Sequence, residues 1–183
     1  MNIKTKIRSI IFIAMFVVIA IVLSACDEVT DILNYDTPPE TLSDIDYQEA
    51  VVNYVIDGDT FDVKLENGET ERVRPILVNA PEICHQSSPS DCEVEPYGDE
   101  ATEFTRELLE GETVYLEQDV SECDPYDRLL FYVYLEDGQM YQELILFEGL
   151  AEVAVYEPDT KYQSHLEKVE QKAKEDQVNM WSE

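Results

Sequence analysis

Basic side chains are scarce in this 183-residue chain: 12 Lys and Arg stand against 41 Asp and Glu, for a formal net charge of −29 at pH 7. That imbalance excludes a broad cationic surface. A phosphate polymer approaching the chain is repelled over roughly a Debye length, ~8 Å at physiological salt. Two readings follow: either the substrate is not nucleic acid, or the surface is adapted to a salty or alkaline exterior where salt screens the repulsion. Net charge governs solubility and encounter rate and leaves the chemistry of a pocket open. Histidine is nearly absent, with His85 and His165 the only two. Neither has a carboxylate or serine partner at motif spacing, which argues against a histidine-based hydrolase. The four cysteines contain no C-x-x-C pair, so a cysteine-ligated metal is not expected.

The N-terminus carries an address. A basic start (Lys4, Lys6, Arg8), an almost unbroken apolar stretch from Ile10 to Leu23 and the ending Leu23-Ser24-Ala25-Cys26 describe a secretory signal over residues 1–25. Leu-Ser-Ala-Cys resembles a bacterial lipobox, whose cysteine is diacylated and becomes the new N-terminus. An uncleaved anchor, or a signal in which Cys26 is incidental, are the alternatives. Each buried methylene contributes about 0.8 kcal/mol to anchoring, so two acyl chains on Cys26 hold a protein to a membrane. The expected location is therefore extracytoplasmic and lipid-anchored. Removing residues 1–25 takes away three bases and no acids, which moves the net charge from −29 to −32. Disulfides are permitted in that compartment. Cys84 and Cys92 bracket a short polar loop and are the favoured pair, with Cys123 either free or a competing partner for Cys92.

Residues 26–47 are rich in Asp, Glu, Thr and Pro and lack periodicity, so they read as an acidic, flexible tether. The remaining 48–183 suffices for one domain with its own core. Strand-like runs cover 51–56, 60–65 and 72–78, and Phe61, Val63 and Leu65 alternate with polar neighbours as on a half-wet sheet. Asn67-Gly68 marks a hairpin turn, and Pro75 predicts a bulge or edge in the third run. Tyr97, Ala101, Phe104 and Leu108 fall on one helical face that Gly111 closes. Runs at 114–117 and 129–135 read as two more strands. A second helix spans 140–147 before Gly149. A third carries Tyr162, Leu166, Val169 and Ala173, with Asp159 or Thr160 as its cap. Five strands with interleaved helices fit an OB-type barrel, an oligonucleotide platform, though other α+β folds satisfy the same pattern.

Ile56-Asp57-Gly58-Asp59-Thr60, then Arg74, then Asn79-Ala80-Pro81-Glu82, then Tyr126-Asp127-Arg128 bring two acids, an amide and two arginines into one order. Oxygen donors of this kind suit a hard divalent cation, and guanidinium groups match phosphate by paired hydrogen bonds. The order, and nearly all of the chain from Tyr47 onward, resembles the staphylococcal (thermonuclease-like) nuclease family. The resemblance implies an α+β fold, an OB-fold five-stranded β-barrel with three helices. It also implies a Ca²⁺ site formed by Asp59, Asn79 and the Ala80 carbonyl, with Glu82 orienting or deprotonating the attacking water. Arg74 and Arg128 fall at its phosphate-binding positions, and Tyr126 and Tyr156 at aromatic positions of its nucleotide pocket. The chain departs from the pattern at Asn79, where a second metal carboxylate is expected, and at Ala80, which replaces a hydroxyl residue. Pro125 stands in place of a lysine, and the stretch 153–156 is one residue shorter.

The implied activity is metal-dependent hydrolysis of DNA and RNA to 3′-phosphorylated products at the cell surface, by a monomer. Two other readings compete. One is an OB-type oligonucleotide-binding module that has lost turnover through Asn79. The other is an acidic surface lipoprotein that collects cations or binds a partner at the cell wall. Arg72 and Arg106 are expected in structural ion pairs.

Overall fold

A computed structural model describes residues 38–39, 41–85 and 91–182. The signal segment, Cys26 and most of the tether lie outside the described residues. Where the tether is described, Leu42 and Ile45 are partly buried against the domain core.

Five strands close a barrel in the order β1-β2-β3-β6-β5. They are β1 (Gln48–Asp57), β2 (Thr60–Leu65), β3 (Thr70–Pro75), β5 (Thr113–Glu117) and β6 (Leu129–Tyr134). A two-residue strand β4 (Val78–Asn79) pairs separately with β7 (Glu152–Val153). Three helices, α1 (Gly98–Leu109), α2 (Tyr141–Phe147) and α3 (Gln163–Glu175), complete the α+β domain expected from the sequence. β1 does the closing. Register shifts after Val52 and after Val55 bend it, as bulges do, so one strand pairs with β2 along its length and with β5 at its start. Val52, Val55, Phe61, Val63, Val73, Val114 and Leu116 fill the interior. Asn67-Gly68 forms the β2–β3 turn, with Gly68 at φ 88° and the Asn67 side-chain Oδ1 accepting the Glu69 N–H at 2.9 Å.

Three expectations change in detail. The run 72–78 is not one strand: β3 stops at Pro75, Leu77 turns the chain at φ 64°, and Val78 starts β4. Proline offers no N–H to a ladder. The buried Gln142 side chain of α2 bridges the break, donating to the Phe131 carbonyl at 3.1 Å and the Ile76 carbonyl at 3.4 Å. The inner face of α1 is Ala101, Thr102, Thr105 and Leu109, with Phe104 and Leu108 only partly buried. Thr102 and Thr105 can be buried because each hydroxyl donates to the carbonyl four residues earlier. Neither Asp159 nor Thr160 caps α3, whose first flanking residue is Tyr162 without a side-chain cap bond. Asp159 caps a different segment, accepting the N–H groups of Val120 and Ser121 at 3.0 and 2.7 Å.

Candidate active site

The hairpin from β1 to β2 places Asp57, Gly58, Asp59 and Thr60 at one rim of the barrel, and the β3–β4 break brings Arg74, Asn79 and Ala80 against them. Asp59 is 5% exposed. Its Oδ2 accepts the Ala80 N–H at 2.7 Å and faces Arg74 Nη2 at 3.2 Å, and its Oδ1 accepts the Thr60 hydroxyl at 3.2 Å. Burial raises the Asp59 carboxyl above its ordinary pKa; the Arg74 guanidinium opposes this and the Asp57 charge reinforces it. Asp57 in turn accepts the Asp59 N–H at 3.1 Å.

Arg74 is held by its own chain. Nη1 donates to the carbonyls of Pro75 and Val78 at 3.1 and 2.5 Å, and Nη2 donates to Asn79 Oδ1 at 3.3 Å. The strand break at Pro75 therefore exposes the carbonyls that the guanidinium satisfies. Arg128 is held differently. Its Nε donates to Asp124 Oδ2 at 2.7 Å and Nη1 reaches Thr60 Oγ1 at 3.3 Å, while Nη2 has no hydrogen-bond partner among the described residues. Asp124 also accepts the N–H groups of Tyr126 and Arg128. Burial alone would raise its carboxyl, but these bonds and the Arg128 charge outweigh it and hold the pKa below the ordinary value. The guanidinium lies 5.7 Å from the ring centroid of Tyr126.

Asp59, Thr60, Arg74, Asn79, Ala80 and Arg128 thus converge. Tyr126 reaches them through its ring contact with the Arg128 guanidinium, and neither it nor Tyr156 is a core residue, at 80% and 71% exposed. Glu82 is exposed, on the segment that follows Ala80. Arg72 and Arg106 make the expected ion pairs, with Asp62 at 2.9 Å and Glu103 at 2.5 Å. Cys84 and Cys92 are disulfide-bonded and Cys123 is free and exposed. Both histidines have carboxylate partners after all: His85 Nε2 lies 3.8 Å from Asp57 Oδ2, and His165 bonds Glu143. Those partners sit far away in sequence, where motif spacing does not reveal them.

Sequence reasoning missed Thr60, which connects Asp59 to Arg128, and Asp124, which aims Arg128. Asp-Pro is a recognised turn start, so Asp124-Pro125 was a usable signal. Also missed was the support under Gly58, whose carbonyl accepts the Tyr141 hydroxyl and shares the single Thr105 hydroxyl proton with the Ala101 carbonyl, at 3.1 and 2.9 Å. Full burial drives the Tyr141 phenol far above its ordinary pKa, so it remains a donor.

The oxygens of Asp59 and Asn79 lie 3.2 and 3.3 Å from one nitrogen, Arg74 Nη2, which engages both. A carboxylate and an amide oxygen are by chemistry donors that fit a hard divalent cation, although fewer and less charged than such ions usually take. Among the described residues, no group of three or more His, Cys, Asp and Glu side chains is arranged to hold a metal.

Comparison with known proteins agrees with this geometry. The sequence model described as staphylococcal nuclease homologue matches residues 72–183. The chain is 42% identical over 136 residues to the SPbeta prophage-derived endonuclease YokF of Bacillus subtilis, covering 73% of this chain and 44% of that protein. It is 44% identical over 141 residues to endonuclease YncB of the same organism, covering 74% of this chain and 64% of that protein. With the thermonuclease of Staphylococcus hyicus it shares 39% identity over 141 residues, covering 77% and 80%. The chain thus spans less than two thirds of the two Bacillus endonucleases and four fifths of the thermonuclease. On the family match and these identities together, the chain belongs to the staphylococcal nuclease family.

Proposed function

We propose that this protein is a metal-dependent nuclease that hydrolyses phosphodiester bonds in DNA and RNA at the outer face of a membrane, held there through Cys26. The observation that carries the reading is the polar chain Arg128–Thr60–Asp59–Arg74, in which each residue lies within hydrogen-bonding distance of the next. Arg128 keeps a spare Nη2 donor for a phosphate oxygen, and its guanidinium fork matches that group. Arg74 is committed to protein acceptors through both terminal nitrogens, so its contribution is a fixed positive charge beside the same oxygens. Glu82 takes the proton from water as that water attacks phosphorus. The P–O5′ bond then breaks, and O5′ takes a proton from solvent and leaves as a 5′-hydroxyl, with the 3′-phosphorylated product as its counterpart. Tyr126 and Tyr156 offer exposed aromatic faces to the bases.

Asp59, Asn79 and the Ala80 carbonyl would hold the divalent ion, Ca²⁺ by family resemblance. A bound cation would neutralise phosphate charge. Asn79 brings one less negative charge than a carboxylate, so weaker binding or a different ion preference is expected. That same amide is what favours the second reading, a binding module without turnover.

The test is cleavage of a fluorogenic single-stranded oligonucleotide by the full chain with Ca²⁺, Mn²⁺, Mg²⁺ or chelator. Arg128→Ala should lower turnover ~10²–10³-fold. Arg74→Lys should also be damaging, because an ammonium lacks the planar fork that spans the Pro75, Val78 and Asn79 acceptors and fixes the charge in place. Metal-independent cleavage, or full activity in Arg128→Ala, would sink the assignment. Silence in every ion, with oligonucleotide still bound, would favour the binding module. The same assay on membrane and soluble fractions reports the anchor, since Cys26→Ser should move activity to the soluble fraction.

A further inference from the structure

The segment that carries Glu82 is fastened at its base from two directions. The Glu82 N–H donates to Glu95 Oε2 at 3.0 Å, and the Glu95 N–H donates back to the Glu82 carbonyl at 2.9 Å. Inside this pair, Cys84 and Cys92 are joined with their Cα atoms 6.0 Å apart. Behind it stands the first turn of α1. A Cβ on Gly98 would lie 2.7 Å from the Glu82 carbonyl oxygen and 3.0 Å from Ile83 Cγ2, so the helix backbone abuts the base of the segment. The Glu82 carboxylate itself is exposed and has no partner among the described residues. The main chain is held, and the carboxylate is left available.

That combination suits a general base. Such a group must come within about 2.6–3.2 Å of the oxygen whose proton it removes, and a displacement of ~1 Å can cost ~10² in rate. Without cross-links, a segment of this length closes only against chain entropy. The covalent link reduces that cost by restricting the open states. The Glu95 carboxylate fixes the one main-chain group nearest the base, as a charged acceptor for the Glu82 N–H.

We infer that Glu95 is a positioning residue of this site: with the Cys84–Cys92 disulfide as its covalent partner, it holds the Glu82 main chain so that the Glu82 carboxylate meets the attacking water. The inference rests on the nuclease reading of Glu82 given above.

The experiment compares the full chain with Glu95→Ala, Glu95→Gln, the pair Cys84→Ser/Cys92→Ser, and the triple variant carrying Glu95→Ala. Three quantities are read: kcat and KM on the fluorogenic oligonucleotide, oligonucleotide binding in chelator, and amide exchange of peptides spanning Glu82 and Glu95 by mass spectrometry. Glu95→Ala should lower kcat at least about tenfold and leave KM and binding within about twofold. It should also speed exchange at the Glu82 peptide. Glu95→Gln, which keeps an acceptor oxygen, should restore most of kcat and the slow exchange. The serine pair should lower kcat too, and the triple variant should lose less than the product of the two losses, because both act on one clamp. Unchanged kcat in a folded Glu95→Ala overturns the inference, as does a loss confined to KM, or a kcat loss with exchange unaltered. If the wild type cleaves nothing, the nuclease reading falls and the catalytic role of Glu95 with it. Unaltered exchange in Glu95→Ala would instead remove the clamp itself.

Discussion

Gly58 stands between two acids, and a Cβ built on it would meet the Ala80 Cβ at 2.6 Å and the Ala101 Cβ at 2.9 Å. Its backbone is not in the left-handed region, so glycine is required here by close approach rather than by a φ that other residues avoid. Gly58→Ala should therefore act through overpacking alone and destabilise the domain by about 1–3 kcal/mol. Urea unfolding midpoints of the two proteins measure this, and an unchanged midpoint would show that Ala80 and Ala101 yield at no cost. Asp57-Gly58-Asp59-Thr60 turns the chain between β1 and β2, and Asp-Gly is turn chemistry legible in the sequence. The sequence could not reveal why Gly58 must be glycine, because Ala80 and Ala101 come from distant segments. Thr60 illustrates the same limit. Strand alternation directs attention to Phe61, Val63 and Leu65, yet the hydroxyl just before them is what touches both Asp59 and Arg128.

Element by element, what was legible followed periodicity, and what was hidden followed long-range polar bonds. The five barrel strands and the three helices show in the pattern of apolar residues, and the β2–β3 turn shows in Asn67-Gly68. The parallel pairing of β3 with β6, the division of 72–78 into two strands and the true role of Asp159 do not. Asp159 ties the segment that follows Tyr156 to the loop between β5 and β6, which carries Asp124 and Arg128. Glu117, at the end of β5, adds a second tie by accepting the hydroxyls of Tyr134 at 2.7 Å and Tyr162 at 3.0 Å, and it pairs with the Lys161 ammonium. Burial by itself would raise the Asp159 carboxyl, but the bonds from Ser121 and Val120 outweigh it and hold it below its ordinary pKa. A depressed folded value means that the stabilisation is present above the ordinary carboxylate pKa, ~3.9, and is lost as pH falls through the folded one. Asp159→Ala should accordingly cost about 1–2 kcal/mol near pH 7, with the gap to wild type closing below pH ~3.9. Denaturant unfolding at neutral and acid pH measures both ends. A gap that persisted undiminished in acid would mean that the side chain stabilises by packing and not by charge.

On the scale of the whole molecule, two electrostatic terms of opposite sign act on a nucleic-acid substrate, and their ranges differ. The net charge of −29 repels a polyanion at long range, while the arginines at the rim attract single phosphates at contact. The Debye length shrinks from ~30 Å at 0.01 M salt to ~8 Å at 0.15 M, so added salt first removes the repulsion. The contacts are also weakened by salt, but gently. If Arg128 engages about one phosphate, the logarithm of affinity falls with the logarithm of salt at a slope of only ~−0.7 on a single strand. A cationic nuclease with many phosphate contacts would lose rate monotonically as salt rises. Here the long-range term dominates at low salt and the contact term at high salt, so kcat/KM on a single-stranded oligonucleotide should rise, pass through a maximum and then decline. Initial rates across a sodium chloride series at fixed divalent ion locate that maximum. A steady fall from the lowest salt would mean that the acidic surface lies too far from the approach path to be felt. The site would then be insulated from its own protein's charge by local geometry, and the adaptation of this surface to a salty exterior would lose its support.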